Sequence, residues 1–177
     1  MAFLHLPFEE KELEKINAGD EVILSGKLYV GRDQVHLRFK ELLDNGEKLP
    51  IDFMGNGIYY MGPSPAPDGY EIGACGPTTS QRMDPFSPLM LSKGLRVMVG
   101  KGPRAKAVIE AVKDYHGLYL QAFGGCGALY ASCVKKKSVV AYPELGPEAL
   151  LLLEIENFPT ICMIDSRGNY LPSAVFV

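Results

Sequence analysis

The sequence predicts an α/β protein, and three observations carry that prediction. Strand-like apolar runs alternate with helical stripes through the second half. Strand signals dominate the first half. No linker divides the 177 residues, a length within the usual range of one domain. The expectation is one domain over residues 1–177, with mixed sheets and flanking helices and a separate sheet in the β-rich first half.

Taken in order, residues 8–16 read as a short helix. Ala18-Gly19-Asp20 turns the chain into residues 21–30, a strand or hairpin. Residues 32–43 carry apolar side chains at 35, 39, 42 and 43, a helical stripe stopped by Asn45-Gly46. Residues 55–77 hold ten Gly or Pro among 23, which makes them turn-rich backbone around a short strand at 58–61. Residues 78–92 are predicted to be helical in part, and 95–99 form a compact apolar strand. Pro103 suits the first position of a helix running to Tyr115. Strands follow at 118–123, 139–142 and 161–165. Residues 117–134 include 18 positions without a charge, followed by Lys135-Lys136-Lys137. Four glycines with Gln121 and Ser132 fit a buried strand, a turn and a short packed helix better than a membrane span.

Composition narrows the function. Lys plus Arg total 18 against 21 Asp plus Glu, a net charge of −3, which lacks the basic footprint of a general nucleic-acid binder. Cysteines stand at 75, 126, 133 and 162 without CxxC spacing, and histidines only at 5, 36 and 116. A zinc or iron–sulfur site held by this chain alone is not expected, and buried reduced thiols in a cytoplasmic protein are. The N-terminus lacks the basic start and apolar run of a signal peptide.

Three clusters could do chemistry. In Gly31-Arg32-Asp33-Gln34-Val35-His36, Arg32 and His36 share one face of a helix. A cation beside an imidazole suits a carboxylate substrate and a proton transfer. The same residues also fit an Asp33 cap with a solvated arginine and a packed histidine. In Gly76-Pro77-Thr78-Thr79-Ser80, a tight turn is followed by three hydroxyls, with Arg82 four residues after Thr78. A helix cap needs one hydroxyl; three with an arginine also suit a small anion. Gly100-Lys101-Gly102 ends an apolar strand, where ligands of α/β sheets lie. Its GxGxxA pattern lacks the acidic residue that a dinucleotide site wants about 20 residues on. Three cations, hydroxyls and a histidine suit a small polycarboxylate.

These segments, in this order, resemble the iron–sulfur hydro-lyases of the class I fumarase and L(+)-tartrate dehydratase group, in their C-terminal domain or separate β subunit. The carriers are Leu24-Ser25-Gly26-Lys27 leading to Gly31-Arg32-Asp33 and His36, then Tyr59-Tyr60-Met61-Gly62-Pro63. Gly76-Pro77-Thr78-Thr79-Ser80 with Arg82-Met83-Asp84 follows, then Gly100-Lys101-Gly102. Residues 154–159, Ile164-Asp165 and Gly168-Asn169 complete the match. Nearly the whole chain is covered. The family's Gly-Gly-Ala-Ala-like run is Gly124-Gly125-Cys126-Gly127 here.

The resemblance implies a swivelling β/β/α fold and a two-component enzyme, a heterotetramer with an α subunit. A [4Fe–4S] cluster would be bound by that α subunit and not by this chain, its open iron acting as a Lewis acid on the substrate hydroxyl. Thr78 would be the catalytic base, with His36 the remaining acid/base candidate. Arg32, Thr79, Arg82 and Lys101 would bind a C4 dicarboxylate. Gly31 and Pro50-Ile51-Asp52-Phe53 look more like fumarases than tartrate dehydratases, so fumarate/malate is the expected substrate pair. A closing module without catalytic groups is the non-enzymatic reading, and no nucleic-acid or membrane partner is expected.

Overall fold

Seven strands, the three shortest buried along almost their whole length, build the core of the computed structural model, which describes residues 1–175. The strands are β1 (Ala2–Leu6), β2 (Glu21–Val30), β3 (Gly57–Tyr59), β4 (Val97–Gly100), β5 (Leu118–Gln121), β6 (Val134–Ala141) and β7 (Leu150–Ile164). They form one sheet in the order β1-β2-β3-β4-β5-β7-β6, and a further β2–β7 pairing closes it on itself. The result is a small barrel of β2, β3, β4, β5 and β7, with β1 and β6 attached as outer strands. From β2 to β5 the pairing is parallel; β7 runs antiparallel to β2 and β5.

The two longest strands make closure possible. Along one edge of β2, residues up to Gly26 pair with β1, while Tyr29 and Val30 take up β3. The first part of β7 likewise pairs with β6, and its last part with β5. The β-rich first half therefore makes no separate sheet, because a ten-residue strand can serve two neighbours on one edge.

Period-two burial splits the apolar side chains between the two faces of the wall. Val22, Leu24, Leu28, Val30, Val97, Val99, Leu118, Leu120, Leu151 and Leu153 share one cluster. Ile58, Met98 and Tyr119 point the other way, onto helices. These are α2 (Asp33–Asp44), α3 (Ser87–Ser92) and α4 (Lys106–Asp114), which contribute Val35 and Phe39, Met90 and Leu91, and Val108 and Val112. Two shorter helices, α1 (Glu10–Leu13) and α5 (Gly127–Cys133), place Leu13 and Tyr130 in the first cluster. Each fully buried side chain of this size contributes about 1.5–3 kcal/mol.

Several boundaries differ from expectation. β1 was not anticipated, β6 begins directly after α5, and β7 begins eleven residues before the expected 161. The helix expected from Pro103 starts at Lys106, because Arg104 bridges Val175 as extended backbone and Ala105, the N-cap, is extended too. The uncharged run over 117–134 resolves into β5, a turn and α5. No helix among the described residues is long and apolar enough to cross a membrane.

Candidate active site

Parallel strands bring their following loops to one rim of the barrel, and the candidate residues stand there. Arg32 lies two residues beyond β2 and Lys101 directly follows β4. The Thr78 amide donates to Tyr60 O at 2.7 Å, just past β3. Thr79 bridges Lys101 in parallel fashion, and the Ser80 amide donates to Lys101 O at 2.9 Å. Lys101 reaches toward the turn after β5: its Nζ lies 3.8 Å from where a Cβ on Gly124 would stand.

Both arginines are oriented by carboxylates along one edge. Arg82 donates from Nε and Nη2 to the two oxygens of Asp33, at 3.0 and 2.5 Å. Arg32 donates from Nε and Nη2 to Glu148 Oε1, at 3.1 and 2.9 Å. A guanidinium has five donors, so the Nη1 groups are left out of these pairings. Arg32 Nη1 lies 2.9 Å from the position a Cβ on Gly62 would take. Asp33, the first residue of α2, is thus an arginine partner, and α2 has no side-chain cap.

The hydroxyls are not used as caps either. The 3-10 turn Ser80–Met83 has Thr79 at its N-cap and no side-chain cap hydrogen bond. Ser80 Oγ is buried beneath, 3.0 Å from Tyr119 Oη. Thr78 is half-buried and Thr79 exposed. Two hydroxyls and three cations therefore line one rim, an arrangement suited to a small molecule with two carboxylates.

His36 is not on that rim. Its side chain has no exposed surface and is ringed by Phe39, Tyr60 and Phe86. Its Nδ1 lies 2.7 Å from Arg32 O. A carbonyl only accepts, so the proton sits on Nδ1, and Nε2 is buried without a partner. Burial lowers the imidazole pKa to about 4, partly countered by that hydrogen bond. Sequence periodicity placed His36 one turn from Arg32 but could not tell which way the ring points.

Three of the four cysteines are poor ligands for an iron–sulfur cluster. Cys75, Cys133 and Cys162 are buried, each with Sγ close to a backbone carbonyl. Burial pushes the Cys75 and Cys162 thiols up to about 12, away from the thiolate that a metal needs. No three His, Cys, Asp or Glu side chains converge as a metal site among the described residues. These residues do not fit the cluster.

A cavity of about 880 Å³ lies elsewhere, between β1, β2 and β7, and none of the candidate residues lines it. On the rim, Thr79 and Arg82 are exposed to solvent. Glu148 was missed in the sequence because it meets Arg32 across 116 positions. Arg104 and Tyr119, which reach Asp84, Ser80 and Gly102 from the core, carry the composition of an ordinary helix start and strand and give no signal in the sequence.

Fold and rim together define an α/β barrel with three cationic side chains, Arg32, Arg82 and Lys101, at the end where its parallel strands finish. Residues 3–174 match the family described as Fumarase C-terminus, and the chain belongs to that family, the one its motifs resemble. It is 41% identical over 161 residues to Fumarate hydratase 2 of Leishmania major, covering 90% of this chain and 28% of that protein. With the aerobic class I fumarate hydratase of Escherichia coli (strain K12) it shares 39% over 170 residues, 94% of this chain and 31% of the other. The chain thus spans less than a third of the length of these relatives. A protein of Methanocaldococcus jannaschii named as an L(+)-tartrate dehydratase subunit beta is 40% identical over 166 residues, covering 90% of this chain and 85% of that one.

Proposed function

We propose that the chain is the β subunit of a two-component class I fumarate hydratase, working with an α subunit in the reversible hydration of fumarate to (S)-malate. The observation that carries this reading is the gathering of Arg32, Thr78, Thr79 and Lys101 on one rim, with Arg82 tied to it through Asp33. Arg32, Arg82, Lys101 and Thr79 hold the two carboxylates, and Thr78 Oγ1 serves the proton at the carbon next to the carbinol. A threonine hydroxyl is a weak base. It works only where cations stabilise its oxyanion and water is excluded, and closure of the partner over the rim meets the second condition. His36 acts indirectly, holding the Arg32 carbonyl at the start of α2. The [4Fe–4S] centre implied by the family resemblance belongs, in this reading, to the α subunit.

A second reading, the β subunit of L(+)-tartrate dehydratase, is supported by the relative named as that subunit, of which the match covers 85%. Identity does not separate the two, at 39–41% and 40%. Turnover of malate against tartrate by the complex, co-purified anaerobically with its α subunit, decides between them.

The central experiment is Thr78→Ala in that complex. Most turnover is lost while dicarboxylate affinity changes less. Unchanged turnover would instead mark the chain as a closing module without catalytic groups.

A further inference from the structure

We propose that Arg104 is a positioning residue for the dicarboxylate site: its buried pair with Asp84 clamps the turn carrying Thr78, Thr79 and Arg82 to the loop carrying Lys101. The inference rests on the reading of the rim given above.

Arg104 has no exposed surface and cannot touch a ligand on the rim. Its Nε donates to Asp84 Oδ1 at 2.6 Å and its Nη2 to Ser87 Oγ at 2.7 Å. The other Asp84 oxygen accepts from the Ala105 amide at 2.8 Å. One carboxylate thus grips both the side chain of Arg104 and the backbone beyond it. Asp84 ends the 3-10 turn two residues after Arg82, and Arg104 stands three residues after Lys101. The guanidinium also lies over the Tyr119 ring, 4.7 Å from its centroid, and near Tyr60 at 5.5 Å.

Tyr119 extends the clamp to the rim, since its hydroxyl donates to Gly102 O at 2.7 Å, next to Lys101. The Ser80 amide on Lys101 O forms the opposite end. Between them the two loops are interlocked: a Cβ on Gly100 would stand 2.0 Å from Ser80 Oγ. A buried charge pair is a poor source of net stability, because desolvation offsets much of the attraction. A planar fork is, however, a good way to fix two backbones at one separation. Lysine keeps the charge but cannot reproduce the fork or the stacking.

The test compares Arg104→Lys and Tyr119→Phe with Arg82→Met and Lys101→Met in the enzyme reconstituted with its α subunit. Arg104→Lys should raise KM and lower kcat, with kcat/KM down about 10–100-fold as expected for a misplaced binding group. Tyr119→Phe should move both in the same direction by less. In the chain itself, Arg104→Lys should speed hydrogen exchange of the Ser80 amide about tenfold with the β4 amides unchanged. The clamp is overturned if Arg82→Met and Lys101→Met raise KM while both clamp variants keep KM and kcat within about twofold. It is also overturned if all amides speed up together, the mark of a merely structural role. If Arg82→Met and Lys101→Met leave KM untouched, the reading of the rim fails and the clamp falls with it. Should Arg104→Lys not fold, Tyr119→Phe decides by the same criteria.

Discussion

Gly62 is where a single methyl group separates function from stability. Its Cβ would stand 2.9 Å from Arg32 Nη1, the far end of a flexible side chain that can swing away. Gly62→Ala should leave the thermal midpoint nearly unchanged and raise KM for the dicarboxylate several-fold, read by steady-state kinetics of the complex. His36 makes the opposite prediction. Its folded pKa is about 4 against about 6.5 in the unfolded chain. Above pH 6.5 both states are neutral there and nothing is lost. As pH falls from 6.5 toward 4 the unfolded state takes a proton that the folded state refuses, removing ~3 kcal/mol. Urea midpoints measured across that window should fall with acid, and His36→Gln should flatten the slope at this end. At this scale the sequence named the cations and hydroxyls because their types and turn positions are local facts. It was silent on Glu148, and left Asp33 as a cap, because an ion pair between distant segments has no local signature.

Among the elements, β2 and β7 decide the architecture. β2 was legible from its apolar run after Ala18-Gly19-Asp20. β7 was read only near its end. Leu151, Leu153 and Ile155 alternate inward against Glu154 and Glu156, but the run Leu150-Leu151-Leu152-Leu153 and Pro159 interrupt the strand pattern. β1 shows the same alternation, with Leu4 and Leu6 buried and Phe3 and His5 exposed, over a stretch too short to stand out. Gly26 joins β1 to β2: its φ is +101° and a Cβ would meet Leu6 O at 2.0 Å. Gly26→Ala should therefore cost at least ~2 kcal/mol, beyond an ordinary surface substitution, with the loss seen as a lower urea midpoint. Leu153→Ala, in the buried β7 position paired with both Leu28 and Lys137, should cost about 2–5 kcal/mol.

For the whole molecule, α/β alternation was legible and closure was not. Periodicity reports which face of a strand is apolar but not that the first and last long strands find each other. The rim assembles only once three loops, separated by up to 69 positions from Arg32 to Lys101, are brought to the ends of parallel strands. On the proposed function, which leaves the metal to a partner, the purified chain alone should hydrate no fumarate, and activity should appear on adding an iron-loaded α subunit.

β6 is the last strand of the sheet, and Lys135, Lys136 and Lys137 follow one another along it. An unpaired strand border is otherwise a template on which identical molecules stack. A hem of like charge makes two such borders repel. Copies of this chain should thereby stay dispersed at low salt, rather than join border to border into fibrils.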